Sequence, residues 1–293
     1  MKIAFLGIGA MGAPIAGHLL KAGQQLTVWN RSRERAETLA KAGATAASSA
    51  AEAVENADIL MTSLFDDAAH EAVLFGSDAV LEKLKAGALH ISLSTISVAL
   101  SERLTAEHAR RGHRYVAAPV FGRPNIAADG KLWIAVAGED QAVAEARPLL
   151  EKFSRGISVV GQEPRQAHAL KLGGNFLISA MIHSLSEAFV YADAQGIAPA
   201  TFLEAVNSAL FQSQFYAAYG KVMLHPPEHV GAPMDLGAKD NRLFREAAAS
   251  RQTRSSLADT LAEIFAQAQQ QGLGSGDWAV GQYRMAQKRG HIA

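Results

Sequence analysis

Lys2-Ile-Ala-Phe-Leu-Gly7-Ile-Gly9-Ala10-Met11-Gly12 is the stretch on which the fold turns. Its first five residues form a short apolar run of strand type, and the three glycines that follow have the spacing of a dinucleotide-binding turn. There the first glycine permits a tight bend, the second lets the backbone approach a pyrophosphate, and the third lets a helix pack closely. Phosphate would meet the N-terminus of that helix, which makes Gly7, Gly9, Ala10, Met11 and Gly12 candidate cofactor-binding residues. A glycine-rich turn that binds nothing could carry the same letters, so the surrounding pattern has to decide. Lys2 and the apolar run to Leu20 also imitate a secretory signal, a reading the glycine pattern opposes.

Outward from this stretch, residues 26–30 (LTVWN) complete a strand, helix, strand unit. Further short apolar runs follow at residues 59–63, 90–93, 115–117, 133–137 and 157–160, mostly separated by helix-like stretches that carry charge. This alternation implies an α/β fold, a doubly wound and mostly parallel sheet covered by helices on both faces. After Gln162 helical spacing takes over, with breaks at residues 196–199 (GIAP) and 224–233. The expected organisation is a nucleotide-binding domain over residues 1–162 and an all-helical domain over 163–293. The second begins with an interdomain helix from about Arg165 to Gln195, roughly 45 Å long at 1.5 Å per residue. Lys171, Asn175, Ser179, His183 and Glu187 recur every four residues along it, so Lys171 and Asn175 point the same way. The same polar residues argue against a membrane span and for a core helix.

Composition narrows the function. Lys plus Arg and Asp plus Glu both number 28, which gives no reason to expect nucleic acid or a membrane surface as partner. An apolar share of 49% fits a well-packed two-domain protein, and the lack of cysteine excludes disulfides, thiolate metal sites and cysteine nucleophiles. A reducing cytoplasm is the expected location. The histidines His90, His108, His113, His168, His183, His225 and His229 have no metal-ligand spacing with carboxylates, so no metal is expected.

The second strand runs into Asn30-Arg31-Ser32-Arg33-Glu34-Arg35, without the acidic residue that usually meets the ribose hydroxyls of NAD. Arg31 can instead meet a 2′-phosphate in a bidentate, charge-assisted contact, with Asn30 and Ser32 adding hydrogen bonds, which points to NADP(H). A solvated basic helix turn would have the same composition. Ser94 and Thr95 follow a strand at the sheet end where such folds place ligands, although Ser94, Thr95 or Ser97 could equally cap a helix. Lys171 can serve as a proton donor in a partly dry cleft or snorkel to solvent from a helix start.

Gly7-Ile-Gly9-Ala-Met-Gly12, Asn30-Arg31-Ser32, Ser94-Thr95-Ile96-Ser97, Ala118-Pro119-Val120 with Gly122 and Gly130, Lys171 with Asn175, and Lys239-Asp240 together resemble the β-hydroxyacid dehydrogenase family. That family includes 3-hydroxyisobutyrate dehydrogenases and tartronate, glyoxylate and succinic semialdehyde reductases. The resemblance implies a Rossmann domain, a helical C-terminal domain that supports a homodimer or homotetramer, and a small-molecule, anionic substrate. It implies that Lys171 exchanges a proton with the substrate hydroxyl while hydride passes to or from NADP(H), and that Asn175 holds the substrate. It also implies cofactor contacts from Leu64 and Lys239 and substrate contacts near Ser94 and the Phe121, Gly122, Arg123 loop.

Departures from the family pattern are local. Ala117-Ala-Pro-Val-Phe121-Gly122-Arg123-Pro124 stands where Asp-Ala-Pro-Val-Ser-Gly-Gly is usual, Phe65 replaces a proline beside Leu64, and Gly174 replaces the first asparagine of a pair. Arg123 can clamp an anion, or point to solvent or pair with Asp129. Two rival readings follow: an imine reductase-like NADPH enzyme, a class that typically lacks the lysine, and an NADP-binding regulatory protein without turnover.

Overall fold

The first apolar run is strand β1 (Lys2–Leu6), and its side chains alternate between two buried layers. Ile3 and Phe5 enter one core with Ile15, Leu19, Val28, Met61 and Ile91, while Ala4 and Leu6 enter another with Leu60, Val80 and Leu104. A strand buried on both faces has to read as a continuous apolar run, which is why these segments show no polar alternation. The computed structural model describes residues 1–290, so the last three residues of the domain expected over 163–293 lie outside the described residues.

Nine strands form one sheet: β1, β2 (Gln25–Trp29), β3 (Thr45–Ala46), β4 (Ile59–Thr62), β5 (Leu89–Ser92), β6 (Arg114–Ala117), β7 (Val120–Phe121), β8 (Leu132–Ala137) and β9 (Ser154–Gly161). Their order is β3-β2-β1-β4-β5-β6-β8-β7, with β9 paired to β8. The first six are parallel; β8 runs antiparallel to β6 and β7, and β9 runs parallel to β8. The chain leaves β1 towards β2 on one side and returns to β4 on the other, so the carboxyl ends of β1 and β4 flank the switch point where such sheets bind ligands. Helices α1 (Gly12–Lys21), α2 (Arg33–Ala40), α3 (Ala50–Val54), α4 (Asp67–His70), α5 (Val80–Lys83), α6 (Val98–Arg110), α7 (Pro124–Ala128) and α8 (Asp140–Leu150) connect the strands. In α1 the buried residues Gly12, Ile15, Ala16 and Leu19 make one stripe, as an amphipathic helix on a sheet requires.

Helix α9 (Pro164–Ala194) has 31 residues. The chain divides into two compact units, Met1–Lys171 and Leu172 onward, and the helix continues from the first into the second. The second unit is helical: α10 (Pro199–Val206), α11 (Gln214–Leu224), α12 (Met234–Ser250), α13 (Ser256–Gln270) and α14 (Trp278–Gly290) follow the tail of α9. Its core contains Ile182, Phe189, Leu203, Met234, Leu261, Phe265 and Trp278. No helix among the described residues is long and apolar enough to cross a membrane.

Candidate active site

The glycine loop is built for close approach. Gly7 has φ +101°, and a Cβ on it would lie 2.3 Å from the Ser63 carbonyl oxygen. A Cβ on Gly12 would lie 1.9 Å from the Gly7 oxygen, so α1 reaches the loop only because that side chain is absent. At Gly9 a Cβ would meet only the Nη1 of Arg35, at 3.9 Å, which leaves the backbone there open to a ligand. No side chain caps the N-terminus of α1, and its first turn holds no acidic residue, so the positive end of the helix is available to an anion beside Ala10 and Met11. These residues fit a dinucleotide pyrophosphate.

Asn30 braces this loop. Its Oδ1 accepts from the Ile8 amide at 2.9 Å and its Nδ2 donates to the Ser32 carbonyl at 3.0 Å. Ser32 is exposed and precedes α2 without capping it through its side chain. Arg33 pairs with Glu37 at 2.9 Å, whereas the guanidinium groups of Arg31 and Arg35 have no such partner among the described residues. Arg35, over Gly9, is a cation that the sequence pattern did not single out.

At the end of β4 the Leu64 amide donates to the Ser94 hydroxyl at 2.8 Å. Ser94 is buried, so this hydroxyl ties the β4 loop to the β5 loop. Ser97 is the residue that caps α6, accepting from the Leu100 amide at 2.9 Å, and the half-buried Thr95 is not needed for that cap. Phe121 is the last residue of β7, Gly122 is exposed, and Arg123 precedes Pro124 at the start of α7 with its Nη1 buried. Asp129 lies 3.5 Å from Lys131.

Lys171 is only 7% exposed, and its Nζ lies 4.2 Å from the centre of the Phe121 ring. Asn175 follows one helical turn later and is also buried. Its Nδ2 donates to Oδ2 of Asp240 at 2.5 Å, and the other carboxylate oxygen of Asp240 is 3.0 Å from the Nζ of Lys239. Lys239 and Asp240 are both buried, so this lysine is no ordinary surface lysine of a helix. Asp240 thus orients the amide of Asn175, a duty that local sequence cannot reveal because the partners are 65 residues apart.

The histidines serve elsewhere. Thr62, His90, His108 and His113 form a buried hydrogen-bonded chain that ends on the Leu84 carbonyl. The Tyr115 hydroxyl meets Nε2 of His168 at 3.3 Å, and burial holds His108 and His168 at about 3. His183 pairs with Glu187 at 3.2 Å. A cleft of about 370 Å³ lined by His108, His113, Arg114, Glu139 and Arg165 lies at the amino end of β6, the opposite end of the sheet from the glycine loop.

The chain is similar to known proteins along nearly its whole length. Residues 2–161 match the family described as the NAD binding domain of 6-phosphogluconate dehydrogenase, and residues 166–281 match the NAD-binding domain of NADP-dependent 3-hydroxyisobutyrate dehydrogenase. An uncharacterized oxidoreductase of Bacillus subtilis (strain 168), YfjR, is 43% identical over 95% of this chain and 98% of its own length. Glyoxylate/succinic semialdehyde reductase 1 of Arabidopsis thaliana is 29% identical over 95% of this chain and 96% of its own. The structure of Mycobacterium tuberculosis 3-hydroxyisobutyrate dehydrogenase with L-serine superposes with a TM-score of 0.86 at 26% identity, covering 97% of this chain and 98% of that one.

Proposed function

The chain belongs to the β-hydroxyacid dehydrogenase family, nicotinamide-dependent oxidoreductases of small hydroxyacids, and we propose that it interconverts a small hydroxyacid and the matching semialdehyde or ketoacid with NADP(H). The observation that carries this reading is the buried Lys171 with Asn175 one turn further along α9. Reduction of a carbonyl develops alkoxide charge at oxygen, and an ammonium in a dry site both stabilises that charge and donates the proton. In the reverse direction the neutral amine removes the hydroxyl proton. Asn175, aligned by Asp240, holds the substrate beside Lys171.

When bound, the nicotinamide supplies or accepts the hydride at its C4. The glycine loop and the N-terminus of α1 hold the pyrophosphate, and Asn30 keeps the loop in shape for it. Arg31, with Arg35 nearby and the Ser32 hydroxyl, reads the 2′-phosphate; two guanidinium groups without an ion-pair partner among the described residues support NADP over NAD. Leu64, Thr95 and Lys239 complete the cofactor contacts in this reading, and Ser94 positions the loop from which Leu64 projects. Phe121, Gly122 and Arg123 form the part of the substrate wall in which this chain departs from the usual family pattern.

The test is a panel of semialdehydes, ketoacids and hydroxyacids with either cofactor, followed by nicotinamide absorbance, for the native protein and Lys171→Ala. At least one acid substrate should turn over, and Lys171→Ala should lose roughly 10²-fold or more in kcat with cofactor affinity retained, the usual scale for a positioned acid or base. Native-like turnover by the folded variant would remove Lys171 from the chemistry. An inert native protein that still binds NADPH would leave the regulatory reading instead.

A further inference from the structure

Phe121 has no group that can hydrogen-bond a substrate, and its surroundings assign it another task. Its backbone is fixed at the end of the sheet, where β7 pairs with β8 through Phe121 opposite Trp133. Its ring packs against a patch of buried alanines, Ala117, Ala135, Ala137 and Ala167. Ala167 and Lys171 are one turn apart on α9, so the ring lies along the helix face that carries the lysine. Above that ring sits the Lys171 ammonium, 4.2 Å from the ring centre and largely withdrawn from water.

We propose that Phe121 is a positioning residue that seats the Lys171 ammonium on its ring face and so places the proton donor of the reaction. An aromatic face carries negative quadrupolar charge, and its attraction for a cation grows as the pair is desolvated. A lysine side chain has four rotatable bonds and much rotamer entropy to lose. A fixed ring beneath the head group selects among those rotamers without neutralising the charge, as a carboxylate partner would. The alanine patch leaves room for the ring and contributes no competing polar group. A leucine in place of Phe121 would fill much of this space but offer no charged face, which separates seating from simple packing.

This inference rests on the acid–base reading of Lys171, and the experiment keeps the two apart. Protein grown with lysine labelled with ¹³C at Cε is observed by NMR, with the Lys171 signal identified by its loss in Lys171→Arg. The ring should shift that signal upfield, Phe121→Leu should abolish the shift, and Phe121→Tyr should retain it. In the assay Phe121→Leu should lower kcat roughly five- to thirtyfold with little change in the KM for NADPH, and Phe121→Tyr should restore most of the rate, as expected from the usual strength of a desolvated cation–π pair. Absence of the ring-current shift in the native protein would overturn the proposal. So would native turnover in Phe121→Leu, or equal damage in the leucine and tyrosine variants. Undiminished turnover in Lys171→Ala would remove the acid–base reading and the proposal with it, a failure recognisable because the NMR shift is measured without turnover.

Discussion

Asn30 and Arg31 are adjacent but do different things to the cofactor loop. The amide of Asn30 is engaged with Ile8 and Ser32, so it shapes the loop for any dinucleotide. Arg31 is exposed and has no ion-pair partner among the described residues, which suits it to discriminate between cofactors. Arg31→Ala should therefore weaken NADPH by about 1.5 to 3 kcal/mol, the scale of a hydrogen bond to a charged group, and leave NADH almost unchanged. Asn30→Ala should weaken both cofactors alike by about 1 kcal/mol, the cost of a lost neutral hydrogen bond. Fluorescence titration of the two variants with each cofactor checks this; a loss shared by NADH in the Arg31 variant would mean that this residue does not read the 2′-phosphate. Arg31 was legible as a candidate because an arginine occupies the position where such folds meet the ribose. The brace from Asn30 was not, since its partner Ile8 is 22 residues away. Ser94 teaches the same lesson: its place at a strand end was legible, but its attachment to the Leu64 amide depends on the meeting of two loops.

Among the elements, long and strongly patterned ones were readable and two-residue ones were not. Helix α9 and the larger strands announce themselves by apolar runs and four-residue spacing, whereas β3 and β7 consist of two residues each. Strand β7 is separated from β6 by Ala118-Pro119, and only its pairing with β8 reveals it. Short elements of this kind arise from tertiary pairing rather than local preference. Asp240 of α12 is the equivalent case among helices, because its carboxylate joins Lys239 to Asn175 inside the second unit. Removing one member of a buried ion pair leaves a charge without that compensation, and Asp240→Ala should cost about 3 to 5 kcal/mol in stability. Asp240→Leu, of similar size but apolar, should cost as much, because Lys239 still loses its counter-ion. Urea unfolding monitored at Trp278 of the same unit measures both variants; losses below about 1 kcal/mol would show that the pair is not structurally important.

For the whole molecule, the buried histidines set the response to acid. Burial keeps the rings neutral, and their hydrogen bonds then fix the tautomers: the Leu84 carbonyl can only accept, so Nε2 of His113 donates to it and Nδ1 of a neutral His113 accepts. Then His108 donates from Nδ1 and accepts at Nε2, His90 donates from Nδ1 and accepts at Nε2, and the Thr62 hydroxyl donates to His90. Each ring is neutral and each tautomer is fixed by the next. Burial holds His108 and His168 at about 3 and pushes His90 well below its ordinary value of 6.5, with neighbouring histidines adding to the effect. The unfolded chain binds these protons near 6.5 and the folded protein refuses them, so stability is intact above that pH and falls as pH drops towards 3. Each such histidine contributes a slope of about 1.4 kcal/mol per pH unit within the window. Asp58, Glu82, Glu107 and Asp259 have lowered values from hydrogen bonds to lysine or arginine, and their contribution is lost only as pH falls below the ordinary carboxylate range, 3.8 for Asp and 4.5 for Glu. Between about pH 6.5 and 5 the histidines therefore act before the carboxylates do. His90, His108 and His168 all belong to the first unit, while in the second the salt-bridge partner Glu187 opposes the desolvation of His183. Acid should accordingly destabilise the first unit more. Denaturant unfolding can be followed at Trp29 and Trp133 for the first unit and at Trp278 for the second, in single-tryptophan variants with Phe at the other positions. The midpoint seen at the first two should fall steeply between about pH 7 and 5, and that seen at Trp278 should fall less. A flat response at Trp29 and Trp133 over this range would mean that the histidine chain accepts protons in the folded protein, contrary to the neutral state that burial imposes on it.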